Sequence, residues 1–164
     1  MFDDSWWGNK WAASVGVETK QKLGDFSLTW NFEYTRIEPW VYSHHKGSGY
    51  NYTSYGEGLG SDLGPNANEI YSSLLLEWKI LALKLHASSV AKDSAFGSSF
   101  FDIHMPDSPI DKEFLNDLTT KKYLELGFEL SVFPTSFLWA RMAAMLYRED
   151  YEGYRLEGSA GLSW

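Results

Sequence analysis

The sequence predicts an all-β protein, an antiparallel up-and-down β-barrel that crosses a membrane, and three observations predict it. Apolar and polar residues alternate one by one over several stretches of about ten residues, the period of a strand with two different faces. The longest apolar stretch, Leu130 to Tyr147, is broken by Pro134 and carries Arg141, whereas a spanning helix needs about 20 mostly apolar residues. The connections between the alternating stretches are short and long in turn, as in an outer-membrane barrel.

Seven strands follow from the alternation. The first, about Trp11 to Lys20, sets Trp11, Ala13, Val15 and Val17 against Ser14, Gly16, Glu18 and Lys20. A turn at Gln21-Lys22-Leu23-Gly24 leads to the second, Asp25 to Arg36, where Phe26, Leu28, Trp30, Phe32 and Tyr34 oppose Ser27, Thr29, Asn31, Glu33 and Thr35. The third, about Glu69 to Lys79, places Leu74, Leu76 and Trp78 opposite Ser73, Leu75, Glu77 and Lys79. The fourth, Leu81 to Ala91, answers it with Leu81, Leu83, Leu85 and Ala87 against Ala82, Lys84, His86 and Ser88. The fifth, about Thr119 to Val132, separates Leu124, Leu126, Phe128, Leu130 and Val132 from Tyr123, Glu125, Gly127, Glu129 and Ser131. Phe133-Pro134-Thr135-Ser136 forms the next turn. The sixth, Phe137 to Arg148, holds Ala140, Met142, Ala143, Ala144, Met145 and Leu146, which favour helix, while its spacing to its neighbours favours a hairpin strand. The seventh, Tyr151 to Trp164, alternates Tyr154, Leu156, Gly158, Ala160, Leu162 and Trp164 against Arg155, Glu157, Ser159, Gly161 and Ser163.

Alternation alone does not say what the apolar row touches, because a soluble sandwich and a membrane barrel share the pattern. With the short turns on the periplasmic side, Phe26, Trp78, Phe133 and Trp164 fall at one interface and Trp11, Tyr34, Tyr71 and Tyr154 at the other, two aromatic belts. The opposite row mixes Glu18, Lys20, Glu33, Glu77, Lys79, Lys84, Glu125, Glu129, Arg141, Arg155 and Glu157, which suits a watery lumen. Seven strands leave two open edges and bacterial single-chain barrels have an even count, so residues 1–164 read as the C-terminal portion of one larger outer-membrane barrel domain.

The 164 residues carry 14 Lys and Arg against 22 Asp and Glu, a net charge of -8, which disfavours nucleic acid as a partner. Aromatics at 17% are too many for a disordered chain. Cysteine is absent, which removes disulfides, thiolate metal sites and cysteine nucleophiles together. Met1-Phe2-Asp3-Asp4 lacks the basic start and apolar run of a secretion signal, so an exported protein would require this chain to be a part of a longer one.

Two long loops remain, about residues 39–68 and 92–118. The first contains six Gly and the aromatics Trp40, Tyr42, Tyr50, Tyr52 and Tyr55, with His44, His45, Lys46, Asp62, Asn66 and Asn68. A loop of this length is functional or disordered, and its chemistry points to sugars. Flat rings lie against the C–H faces of a pyranose while amides, carboxylates and imidazoles bond its hydroxyls. Arg36, His44, His45 and Lys46 can also meet a sugar carboxylate. The alternative is a compact loop whose rings pack on one another. In the second loop, Ser108-Pro109-Ile110-Asp111 resembles a capped helix start and predicts a short helix over about Pro109 to Asn116.

Glu33-Tyr34-Thr35-Arg36, Tyr42-Ser43-His44, and Tyr52-Thr53 leading to Leu59-Gly60-Ser61-Asp62-Leu63-Gly64-Pro65-Asn66-Ala67-Asn68 resemble the C-terminal half of the capsule assembly Wzi family of Gram-negative outer membranes. The resemblance implies a barrel of roughly 18 strands acting as a lectin that binds capsular or exopolysaccharide at the cell surface and supports capsule assembly. It carries ligand contacts onto Arg36, Tyr42, His44, His45, Tyr50, Tyr52, Asp62 and Asn66. It implies no cofactor, and outer-membrane lipid and polysaccharide as the partners. The preceding strands, signal peptide and periplasmic helical plug of that family have no counterpart in this sequence.

A passive porin is the alternative function, since the charged row tolerates a water-filled lumen. Catalysis is the weakest reading. His86 and Ser88 share one row, and Asp102 and His104 stand two apart, but no G-x-S-x-G, H-E-x-x-H or phosphate-binding glycine loop occurs. His44-His45 lacks a third ligand, and adjacent strand residues point oppositely.

Overall fold

The computed structural model describes residues 5–43, 53–55, 57–95, 97–133, 138–148 and 152–162. It is all-β. The strands are β1 (Ala12–Leu23), β2 (Phe26–Ile37), β3 (Thr53–Ser54), β4 (Glu57–Gly58), β5 (Ala67–Trp78), β6 (Leu81–Asp93), β7 (Thr120–Val132), β8 (Leu138–Arg148) and β9 (Glu152–Leu162). An antiparallel, up-and-down sheet of seven strands runs β1-β2-β5-β6-β7-β8-β9, and β3 and β4 form a separate two-stranded sheet. The seven expected strands are therefore present in the expected order, with bounds shifted by a few residues.

The sequence-ambiguous stretch is a strand. β8 pairs with β7 from Leu124↔Arg148 to Val132↔Ala140 and with β9 from Leu138↔Leu162 to Arg148↔Glu152. Two full ladders satisfy its backbone from both sides, which outweighs the intrinsic helix preference of its Ala and Met residues. The first turn is tighter than expected. β1 runs on through Leu23, and Gly24 takes a positive φ of 62° before Asp25, so the reversal needs only two residues.

The chain forms two compact units. Unit 2, made of residues 16–33, 70–89 and 123–164, contains β8, β9 and most of β1, β2, β5, β6 and β7. Its contacts sort the side chains into two rows. On one face, Phe26 stacks on Trp78 with ring centroids 5.5 Å apart, and the register sets Leu126 opposite Leu146, Phe128 opposite Ala144 and Leu130 opposite Met142. The opposite face carries Ser27 Oγ donating to Glu77 Oε2 at 3.0 Å and His86 Nε2 at 3.2 Å from Glu125 Oε1. Tyr71 lies against His86 on this polar face, so it does not join an apolar belt as the sequence suggested. The reason is parity: Tyr71 is an even number of residues from Glu77, and strand side chains alternate with period two.

Unit 1, made of residues 1–15, 34–69 and 90–122, contains the buried apolar side chains among the described residues: Ile37, Trp40, Val41 and Ala67, with Pro39 and Pro65. The helix expected over Pro109 to Asn116 is not formed. Its backbone groups bond elsewhere: Ile110 O accepts from Trp7 N, Lys112 N donates to Ser5 O, Leu115 N to Asn66 Oδ1 and Asn116 N to Asp93 Oδ2. Leu115 also sits at a positive φ of 53°, outside the helical region. The capping-box pattern was outcompeted by these nonlocal partners.

Candidate functional site

The loops of unit 1 are organised around a buried carboxylate. Pro39 disfavours helical geometry at Glu38, which follows the end of β2 in an extended conformation and is buried. Glu38 N donates to Trp11 O at 3.1 Å, and its carbonyl accepts from Asn66 N at 3.2 Å. Its Oε1 accepts from Arg36 Nε at 2.8 Å and lies 2.6 Å from Nη2, while Oε2 lies 2.7 Å from Lys112 Nζ. Lys112 also donates to Asn9 O. The Arg36 guanidinium lies 3.8 Å from the centre of the Phe114 ring and 5.2 Å from that of Trp11. Ionised groups taken out of water need such paired, hydrogen-bonded surroundings.

Asn66 is the second anchor. Its φ of 56° is a left-handed value that Asn tolerates better than most residues. Its Nδ2 donates to Ser98 Oγ at 3.1 Å and Glu113 O at 3.2 Å, and its Oδ1 accepts from Leu115 N at 3.0 Å. One side chain thus ties the end of the first loop to two parts of the second. The glycines of the Leu-Gly-x-x-Leu-Gly element have a steric role here. A Cβ at Gly60 would lie 2.5 Å from Tyr42 Cζ, and one at Gly64, whose φ is 65°, would lie 3.2 Å from Phe100 Cε2. Tyr42 and Phe100 themselves stack at 5.0 Å, and Tyr42 Oη accepts from Ser61 N at 3.4 Å.

A third cluster joins Trp7, Trp40 and His104. His104 stacks on Trp7 at 3.8 Å and meets Trp40 edge-on at 5.1 Å. Its Nε2 is 3.0 Å from Pro109 O, and a carbonyl only accepts, so Nε2 carries the hydrogen. Lys10 Nζ donates to Ser43 O at 2.7 Å above the Trp7 ring, and burial holds its pKa below the usual 10.5. Beside Asp93 and Asp102 lies a cavity of about 280 Å³ lined by Asp93, Ser94, Ala95, Ser98, Ser99 and Asp102.

Of the residues singled out in the sequence, Arg36 and Asn66 come together through Glu38, one on its carboxylate and one on its carbonyl. Tyr42 belongs to the ring stack, and Asp62 is exposed beside Ser61. Tyr55, at the tip between β3 and β4, is fully exposed at a positive φ of 52°. His44, His45, Tyr50 and Tyr52 lie outside the described residues. Glu38, Lys112, Phe100 and the serines of the cavity were not anticipated. Their partners are far away in sequence, and only the Pro after Glu38 marked that position locally.

The residues sketched for catalysis have other partners. His86 pairs with Glu125, Asp102 Oδ2 accepts from Gly97 N and Ser99 N, and His104 is held by Trp7 and Pro109. Among the described residues no three His, Asp or Glu side chains gather to hold a metal ion. Protein-family models, curated proteins and solved structures yield no match to this chain.

Proposed function

We propose that this chain is part of the wall of an outer-membrane β-barrel of the capsule-assembly kind, and that its long loops bind capsular or exopolysaccharide without chemically altering it. The observation that carries the membrane half is the absence of buried apolar residues in unit 2 among those described. Its large side chains stand out instead: Val17 46%, Leu85 41% and Leu126 43% exposed. A sheet that, among the described residues, fully buries none of its Leu, Trp and Phe on itself calls for an apolar surrounding, and hydrocarbon supplies one.

The polar atoms on that apolar row support the same reading. Trp30 Nε1 donates to Ser72 Oγ at 3.1 Å, and Ser72 Oγ donates on to Asn31 O at 3.1 Å. Within lipid, polar groups must find partners inside the protein, as these do. For the loops, the support is the display of Tyr55 and Asp62 to solvent, a ring and a carboxylate suited to a pyranose face and its hydroxyls. The Arg36–Glu38–Lys112 group, buried at Glu38 and Lys112, serves as their scaffold, since the Arg36 guanidinium already holds a carboxylate of its own chain.

The test is retention of labelled capsular polysaccharide by the intact chain in detergent micelles. Retention is expected, with a loss of about tenfold for Tyr55→Ala if its ring carries a stacking contact of ordinary strength. No retention by the unaltered chain would overturn the lectin reading. A steady ion conductance in planar bilayers without polysaccharide retention would favour the porin.

A further inference from the structure

We propose that the exposed indole of Trp6 and the carboxylate of Asp111 form a subsite for a sugar ring that carries a protonated amine. The proposal rests on the polysaccharide-binding reading and names the class of one sugar in the ligand.

Contacts far apart in sequence place the pair. Trp6 and Asp111 oppose each other in an antiparallel bridge, and Trp7 N donates to Ile110 O at 2.9 Å beside it. Residues opposed in this way carry their side chains on the same side, with Cβ atoms about 4.5–5.5 Å apart. A Cβ at Gly8 would lie 2.4, 2.6 and 2.7 Å from Cη2, Cζ2 and Cζ3 of Trp6, distances so nearly equal that it would stand over the face of the ring and not at its edge. Gly8 therefore backs one face of the indole. Trp7 meets the ring only at an angle of 59° with centroids 6.2 Å apart, and Trp6 remains 48% exposed.

The charge around the ring selects the ligand. Asp111 is exposed, its Oδ1 accepts from Ser5 Oγ at 3.2 Å, and Oδ2 keeps its lone pairs for a ligand. The second loop, residues 92–118, holds six acidic residues against two lysines. Both lysines have other partners: Lys92 donates to Pro65 O and Ser98 O, and Lys112 pairs with Glu38 and donates to Asn9 O. Lys10 Nζ lies 4.6 Å from the centre of the Trp7 ring, and among the described residues no cation takes the same place on Trp6. With the C–H face of a pyranose on the indole, an amine on that pyranose donates to Asp111 in a charge-assisted bond and adds a cation to the π face. A neutral ring keeps only the stacking and an ordinary hydrogen bond. A uronate meets Asp111 as a like charge with neither lysine of the loop turned toward it. Hydrocarbon is a poor neighbour for this indole, because it would also have to cover the carboxylate opposite.

The experiment is saturation-transfer NMR on the intact chain in deuterated detergent and mildly acidic buffer, which keeps the amine protonated, with D-glucosamine, N-acetyl-D-glucosamine, D-glucose and D-glucuronate titrated separately. Glucosamine is expected to bind about tenfold more tightly than the two neutral sugars, and glucuronate most weakly. Trp6→Ala is expected to weaken glucosamine about tenfold. Asp111→Asn keeps the shape of the side chain and is expected to bring glucosamine to within about twofold of N-acetylglucosamine, which keeps the test decisive if Trp6→Ala disturbs the loop. Neutral sugars or glucuronate binding as well as glucosamine, no glucosamine binding, or both variants behaving like the parent overturns the subsite. If polysaccharide is still retained by the intact chain in that event, the subsite alone falls. If retention is also absent, the lectin reading falls with it.

Discussion

Glu38 and Lys112 are the residues on which unit 1 depends most. Their side chains are 4% and 2% exposed, and neither has water to fall back on. Replacing Lys112 takes the cation from Glu38 Oε2 while Oε1 keeps Arg36, a loss of about 1–3 kcal/mol. Lys112→Met is therefore expected to reduce hydrogen-exchange protection at the amides of Glu38 and Asn66, and unchanged protection would show that the pair is not buried in solution. Lys10 gives a pH-dependent effect of known sign. Burial lowers its pKa, so the folded state binds its proton less well than the unfolded chain with its ordinary 10.5. The penalty for its charge is fully present below the folded pKa and disappears as pH rises toward 10.5. The stability of the parent relative to Lys10→Met should accordingly rise through the alkaline range, measured as the difference in urea midpoints at each pH. A difference that stays flat or falls would contradict the assignment.

At the level of elements, strand parity explains why the apolar and polar rows of β2, β5, β6 and β7 separate and why Tyr71 falls on the polar one. The described strands of the large sheet keep their polar row on one face because a shift of one residue would turn every side chain over. Gly127 shows how closely that face is packed, since a Cβ there would come within 2.2 Å of the His86 ring. The Trp30–Ser72–Asn31 relay offers a measurement of what the other face touches. Ser72→Ala removes the acceptor for the indole N–H. Against hydrocarbon the loss should cost about 1–3 kcal/mol, and against water, which replaces the lost partner, under about 0.5 kcal/mol. Urea-driven unfolding from liposomes reads the difference, and a near-zero effect there would place that face in water.

For the whole molecule, the sheet order leaves β1 and β9 as its two ends, and among the described residues the buried apolar side chains lie in unit 1. Long edge strands with an apolar row are a route to association in water. The expected outcome on purification is that the chain stays soluble only with detergent or lipid and aggregates when these are removed, as followed by light scattering. A stable monomer in plain buffer would mean that the rows of Leu, Trp and Phe cover one another, and the membrane reading would be lost.

The sequence by itself determined the strands, their order and their two faces, because period-two alternation is a local property that needs no partner to be read. Even the glycine spacing between Leu59 and Asn68 was visible there, although not the rings of Tyr42 and Phe100 that it makes room for. Only the tertiary structure decided the interior of unit 1. The carboxylate of Glu38 meets Lys112, the amide of Asn66 meets Ser98 and Leu115, and the backbone from Ile110 to Asn116 gives up a helix for those bonds. Such contacts join groups dozens of residues apart, and their stability comes from burial and saturation of hydrogen bonds, which a local pattern does not encode.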